Sequence, residues 1–161
     1  MEIEMSIKGL SVDPITNMPI IVLRERDGER VLPIWVGVFE ANAIALQIES
    51  VETPRPMTHD LLKSVIDELG GRLERIVVSE LKDNTFYATL RLRSQRGSLT
   101  VDARPSDAIA LALRSGARIF VEEAVIQSAR TLEQPGPEPG MKRVEKWLEG
   151  LSDEELGKYK M

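Results

Sequence analysis

No cysteine occurs in the 161 residues, histidine occurs once, and the aromatic side chains are few: two Trp, two Tyr and three Phe. The missing thiols exclude a disulfide scaffold, a thiolate zinc site and a cysteine nucleophile, and they permit a reducing compartment. Long apolar runs are missing too, since the strongest, 31–39 and 108–113, fall far short of the ~20 residues that span a bilayer. Met1-Glu2-Ile3-Glu4 offers no basic region ahead of an apolar stretch, so no secretory leader is predicted and the expected location is the cytoplasm, without membrane contact. Trp35, Phe39, Phe86 and Phe120 lie in apolar contexts that read as core, which leaves too few rings for a base-stacking platform. The phosphate-binding P-loop, the glycine-rich dinucleotide loop, the zinc-protease helix and the serine elbow are all absent. Basic residues, 21 against 26 acidic ones for a net charge of −5, are too few for the whole molecule to capture nucleic acid by charge. Local patches are still allowed. Through residue 129 arginine outnumbers lysine 12 to 3, a bias suited to bidentate contacts with phosphate or carboxylate.

What is present is the composition of an ordinary globular protein, 42% hydrophobic and 29% charged, at the length of one domain of about 130 residues with an appendage. Residues 2–12 alternate loosely and stop at Asp13-Pro14 and Asn17-Met18-Pro19. The β-branched run 19–26, the turn pair Asp27-Gly28 and the run 30–36 predict a β-hairpin. From 38 to 49 the period becomes helical, with Val38, Ala41, Ala45 and Ile48 on one face. Thr58 is the predicted N-cap of a second helix over 60–69, with Leu61, Leu62, Val65, Ile66 and Leu69 turned inward and Gly70-Gly71 closing it. Strands follow at 75–81, 85–92 and 98–101, then a helix at 108–114 stopped by Gly116, a short strand at 119–121 and a last helical turn at 124–129. Laying Ala43-Ile44-Ala45-Leu46 on Ala108-Ile109-Ala110-Leu111, a shift of 65 residues, also superposes the strand before each helix. The expected fold class is therefore α+β, with duplicated β-β-β-α halves forming a mainly antiparallel sheet and helices packed on one face. The domain is expected over 1–130. Residues 131–140, which include Gln134-Pro135-Gly136-Pro137-Glu138-Pro139-Gly140, read as a Pro/Gly linker, and 141–161 as a C-terminal helical appendage with a capping box at Ser152-Asp153-Glu154-Glu155.

Two clusters can carry chemistry. In Arg55-Pro56-Met57-Thr58-His59-Asp60 the lone histidine stands just inside a helix start, where free N–H groups and the helix dipole favour a phosphate and a histidine can move a proton. The same residues also serve as an ordinary first turn, with Asp60 satisfying the dipole. In Asp102-Ala103-Arg104-Pro105-Ser106-Asp107, at a strand-to-helix junction, two carboxylates can hold Mg²⁺ or Mn²⁺ while the guanidinium steadies a phosphate. Read structurally, Pro105 simply begins the helix and Arg104 pairs with a nearby carboxylate. The 65-residue shift sets Gly37 on Asp102, Glu40 on Pro105 and Asn42 on Asp107, so Glu40 is the acid that the first half brings to the same depth. Carboxylate, histidine and arginine together are the toolkit of metal-assisted phosphodiester cleavage.

Four separated motifs, in order, carry a resemblance: Leu32-Pro33-Ile34-Trp35-Val36-Gly37 with Glu40-Ala41 and Ala43-Ile44-Ala45; Arg55-Pro56-Met57-Thr58-His59-Asp60-Leu61; Thr85-Phe86-Tyr87-Ala88; and Asp102-Ala103-Arg104-Pro105-Ser106-Asp107-Ala108-Ile109-Ala110-Leu111. Over roughly residues 1–130 the chain resembles the bifunctional nuclease family. The resemblance implies an α+β domain that cleaves both RNA and DNA. On that basis Glu40, Asp102 and Asp107 are candidate Mg²⁺ or Mn²⁺ ligands, and His59, with Asp60 beside it, is a candidate general acid or base. Arg104 is the candidate phosphate clamp, with Arg55 and Ser106 as further substrate contacts. The rival is a non-enzymatic regulatory or interaction module whose polar cluster links the two halves. The two readings differ in whether His59 and Asp60 meet Asp102, Arg104 and Asp107 in one open cleft. A small sheet covered on one face also leaves edges exposed, which predicts association of copies, most simply a two-fold dimer.

Overall fold

The computed structural model describes residues 1–131, so the expected linker and appendage lie outside the described residues. Seven strands and four helices follow in the order β1 (Glu2–Val12), β2 (Pro19–Glu25), β3 (Val31–Trp35), α1 (Val38–Ile48), α2 (Thr58–Glu68), β4 (Arg72–Lys82), β5 (Thr85–Ser94), β6 (Gly97–Ala103), α3 (Pro105–Ser115), β7 (Arg118–Glu122) and α4 (Glu123–Thr131). The strands form one sheet in the order β3-β2-β1-β7-β4-β5-β6. Each half is an antiparallel meander followed by a helix, as the internal repeat predicted. Between the halves lies β7, antiparallel to β1 and parallel to β4. β1 and β4 therefore run in opposite directions, and the halves are related by an approximate two-fold axis near β7. None of the helices among the described residues is long and apolar enough to cross a membrane.

Local chemistry explains most of these elements. Asp83 and Asn84 both adopt positive φ, 51° and 60°, and so close the β4–β5 hairpin in the two residues that pair Lys82 with Thr85. Asp27-Gly28 does not do the same: neither residue has positive φ, and the β2–β3 connection is a longer loop over 26–30. Arg30 steadies it by donating to both Glu25 and Glu123. In α1 and α3 the inward stripes are largely alanine, with Ala41, Ala45, Ala108 and Ala112 buried around Ile44 and Leu111. Small side chains let these two helices lie closely side by side over Ile21, Leu23, Ile76 and Val78 of the sheet.

Three expectations need correcting. The two repeat helices begin at Val38 and Pro105, so they correspond at a shift of 67 residues rather than 65. Glu40 thereby matches Asp107 and Gly37 matches Arg104; the Ala-Ile-Ala-Leu identity is two positions out of step, because alanine and leucine exchange freely on a buried stripe. The inward face of α2 is also narrower than its sequence suggests. Its N-cap is Met57, only His59 is fully buried, and Leu61, Leu62, Val65 and Leu69 are exposed. This helix rests on α3 and not on the sheet, so one side of its apolar arc finds a partner and the other does not. Finally, Phe39 is 87% exposed. It follows Val38 at the start of α1, on the side opposite the stripe of Ala41, Ile44 and Ala45, and projects from the domain.

Candidate active site

α1, α2 and α3 share one local signal, an acid at the third helical position: Glu40, Asp60 and Asp107. Carboxylates there favour the positive end of the helix dipole. What each does next depends on its tertiary neighbours.

Asp107 is the centre of a chain of polar contacts. Its Oδ1 lies 2.9 Å from Nε2 of His59, and its Oδ2 accepts from Nε of Arg104 at 2.9 Å. Arg104, the N-cap residue of α3, also donates from Nη2 to Oε1 of Glu40 at 2.9 Å. The sequence His59–Asp107–Arg104–Glu40 thus ties the starts of all three helices together. The hydrogen bond from Asp107, reinforced by that from Glu40, raises the Arg104 guanidinium further above its ordinary pKa, so this cation is permanent. Its side chain is 66% exposed and its Nη1 makes no hydrogen bond, which leaves a charged donor turned to solvent. His59 is far more enclosed, with 11% of its side chain exposed. Among the described residues no fully buried side-chain nitrogen or oxygen lacks a partner; Nδ1 of His59 makes no hydrogen bond and is therefore the edge that solvent reaches.

These residues line a cleft of about 700 Å³ between the starts of α1, α2 and α3 and strands β5 and β6. Asp102 lines it too, exposed and without an ion pair, and Phe39, Leu62, Leu90, Val101 and Leu111 make its apolar walls. Gly37 supports the arrangement from behind. A Cβ at that position would come within 2.3 Å of Oε2 of Glu40, so the missing side chain is what lets Glu40 fold back toward the helix start and reach Arg104.

Asp60, Arg55 and Ser106 are not in this cleft. Asp60 Oδ2 accepts from the Met57 backbone N–H at 2.9 Å, and Oδ1 accepts from Nε of Arg114 at 2.6 Å. The Met57 N–H is the chief cause that holds the Asp60 carboxyl below its ordinary range, with Arg114 adding to it against the opposing effect of burial. Arg114 is itself enclosed, with 4% of its side chain exposed, and it also donates to the carbonyls of Ala110 and Ala43. That pair braces α2, α3 and α1 against one another. Arg55 is exposed in a neighbouring groove that includes Asp60, while Ser106 is buried beside a separate groove with Trp35 and Gly37. Arg114 was not singled out from the sequence, where a basic residue ending a helix reads as a routine dipole partner.

The donor set does not fit Mg²⁺ or Mn²⁺. Among the described residues no three His, Asp or Glu side chains are grouped to hold a metal ion. Glu40 and Asp107 do approach one another, but the Arg104 guanidinium lies between them and meets both carboxylates.

The fold and cleft define a class: a duplicated α+β domain whose three helix starts converge on a histidine, an arginine and carboxylates. Comparison with known proteins narrows it. The model of the bifunctional nuclease domain matches residues 21–134. A Mycobacterium tuberculosis relative, the uncharacterized protein Rv1829, is 46% identical over 129 residues, covering 80% of this chain and 77% of its own. Bifunctional nuclease 2 of Oryza sativa subsp. japonica is 30% identical over 125 residues, 75% of this chain and 38% of the plant protein. Bifunctional nuclease 1 of Arabidopsis thaliana is 28% identical over 114 residues, 68% and 35% of the two chains. The chain belongs to the bifunctional nuclease domain family, and it spans little more than a third of the length of these plant relatives.

Proposed function

We propose that the chain is a nuclease that hydrolyses phosphodiester bonds of RNA and DNA in this cleft. The observation that carries the reading is the contact chain His59–Asp107–Arg104–Glu40 opening on one side into a cleft with a free guanidinium edge. Two distant relatives bearing the name bifunctional nuclease support it.

The chemistry follows from which atoms are already engaged. Nε2 of His59 faces Asp107, which fixes the ring and leaves Nδ1 as the edge that accepts a proton. Nη1 of Arg104 is free to donate to a non-bridging phosphate oxygen, while Glu40 and Asp107 hold the guanidinium plane still. As a water oxygen forms its bond to phosphorus, its proton passes to Nδ1 of His59. The bond to the leaving oxygen breaks, and that oxygen takes a proton from the imidazolium or from solvent. Negative charge gathering on the phosphoryl oxygens in the transition state is met by Arg104.

The test is cleavage of labelled RNA and DNA oligonucleotides by purified protein. His59→Ala and Asp107→Asn are each expected to slow cleavage at least tenfold, about 1.4 kcal/mol of barrier, while melting within a few degrees of the parent. A variant that melts like the parent and cleaves like it overturns the assignment.

A further inference from the structure

Apolar side chains that the fold leaves uncovered are gathered in one place. On α2, Leu61, Leu62, Val65 and Leu69 fall within a stripe about 100° wide, and all four are exposed. Lys63 and Asp67 of the same helix pair with each other away from that stripe. Leu62 lines the cleft together with Phe39, Met57 and Val101. Leu99, two residues before Val101 on β6, points to the same sheet face and is exposed as well. The patch therefore runs without interruption from α2 across the cleft mouth to β6.

β6 is also an outer edge of the sheet, and the two edges differ in how they are guarded. At the far edge β3 carries Pro33 inside the strand, where it removes a donor and discourages further pairing. β6 has no proline, no lysine and no bulge; it pairs with β5 residue for residue from Gly97 to Ala103 and presents a regular outer row of backbone groups. An unguarded edge next to an uncovered apolar stripe is the combination that a folded chain keeps when another chain covers it.

We propose that this surface, made of the outer stripe of α2, Phe39 and strand β6, is where a second copy of the chain docks. Its centre carries Leu, Val, Met and Phe and no charge, so nothing on it selects an acidic or basic partner, and two identical uncharged surfaces meet without like-charge repulsion. The area suits a lasting contact. Phe39 alone offers on the order of 150 Å², and with seven further side chains the patch supplies several hundred of the roughly 800 Å² per partner that a stable interface buries. The backbone edge of β6 and the polar rim supply the remainder. Because Phe39 and Met57 border Glu40 and His59, the second copy walls the apolar side of the cleft.

Light scattering or sedimentation of the full chain at micromolar concentration tests the proposal. The expected mass is at least twice the 18.0 kDa of one chain. Leu61→Glu with Val65→Glu, and separately Val101→Lys, are each expected to give the single-chain mass with an unchanged circular dichroism spectrum. Ile15→Glu, which alters an exposed apolar residue in the β1–β2 turn, is expected to keep the parent mass. A parent that sediments as one chain overturns the proposal, and so does an assembly that survives both the α2 and the β6 substitutions. These outcomes do not depend on cleavage, so failure here and failure of the nuclease reading are distinguishable.

Discussion

Replacing Asp60 with alanine separates a bracing role from a chemical one. Asp60 accepts two hydrogen bonds, from the Met57 N–H that begins α2 and from the enclosed Arg114 guanidinium. The first is a helix-start contact worth about 1 kcal/mol. The second is charge-assisted, about 1.5–3 kcal/mol, and its loss leaves Arg114 with only the carbonyls of Ala110 and Ala43. The Asp60 side chain is 33% exposed, so water replaces part of what is lost, and the expected cost is about 2–3 kcal/mol. For a domain of this size that lowers the melting temperature by about 6–15 °C. Thermal unfolding at neutral pH, with cleavage measured per folded molecule at a temperature below both transitions, reads the two roles independently. The pH dependence has a definite sign. A carboxyl whose pKa is depressed in the folded chain contributes fully above its unfolded value of about 4 and loses that contribution as pH falls through the folded value. The gap in stability between parent and Asp60→Ala should therefore be constant from pH 8 to about pH 5 and narrow on further acidification. If Asp60→Ala melts with the parent but loses cleavage tenfold or more, Asp60 belongs to the chemistry and the bracing argument fails.

Other consequences are equally direct. With no metal-binding group among the described residues, cleavage in excess EDTA is expected to stay within about twofold of that without it; loss on chelation restored by Mg²⁺ would contradict the proton-transfer reading. Gly37→Ala puts a methyl group where the Glu40 carboxylate now folds back, so cleavage should fall severalfold while the melting temperature moves little, since Glu40 is a flexible side chain that can swing away. Ser50, just past α1, has φ 54°, and Ser50→Gly should stabilise the domain by about 0.5–1 kcal/mol in denaturant titration.

Much of the fold was legible because strands and turns announce themselves locally. Asp83-Asn84, the meander after Gly71 and the alanine-rich helices need no tertiary information. Asp27-Gly28 shows the limit of such signals, since its loop is held by the Arg30 contacts to Glu25 and Glu123, the latter 93 residues away. The apolar arc of α2 was legible as an arc, but periodicity does not say what covers it, and α3 covers only one side. The site shows the same division. Glu40, Asp60 and Asp107 are equivalent as first-turn acids, and only packing sends Glu40 and Asp107 to Arg104 in the cleft and Asp60 to Arg114 behind it. His59 and Arg104 could be selected by residue type, whereas Arg114 looked like any helix-ending arginine until its burial was seen.

β7 is the last strand to be synthesised and yet it occupies the middle of the sheet. Until Arg118–Glu122 has left the ribosome, each meander can form its own hairpins but β1 and β4 both present open edges to the gap between them. The keystone then arrives carrying contacts to residues more than a hundred positions earlier, such as Ile3 with Val121 and the Met1 carbonyl with the Glu123 N–H. High sequence separation of this kind slows folding, and pulse-labelled hydrogen exchange should show the amides of 119–121 among the last to be protected. Two nascent chains on one message, each with that slot vacant, would be able to trade the strand between them.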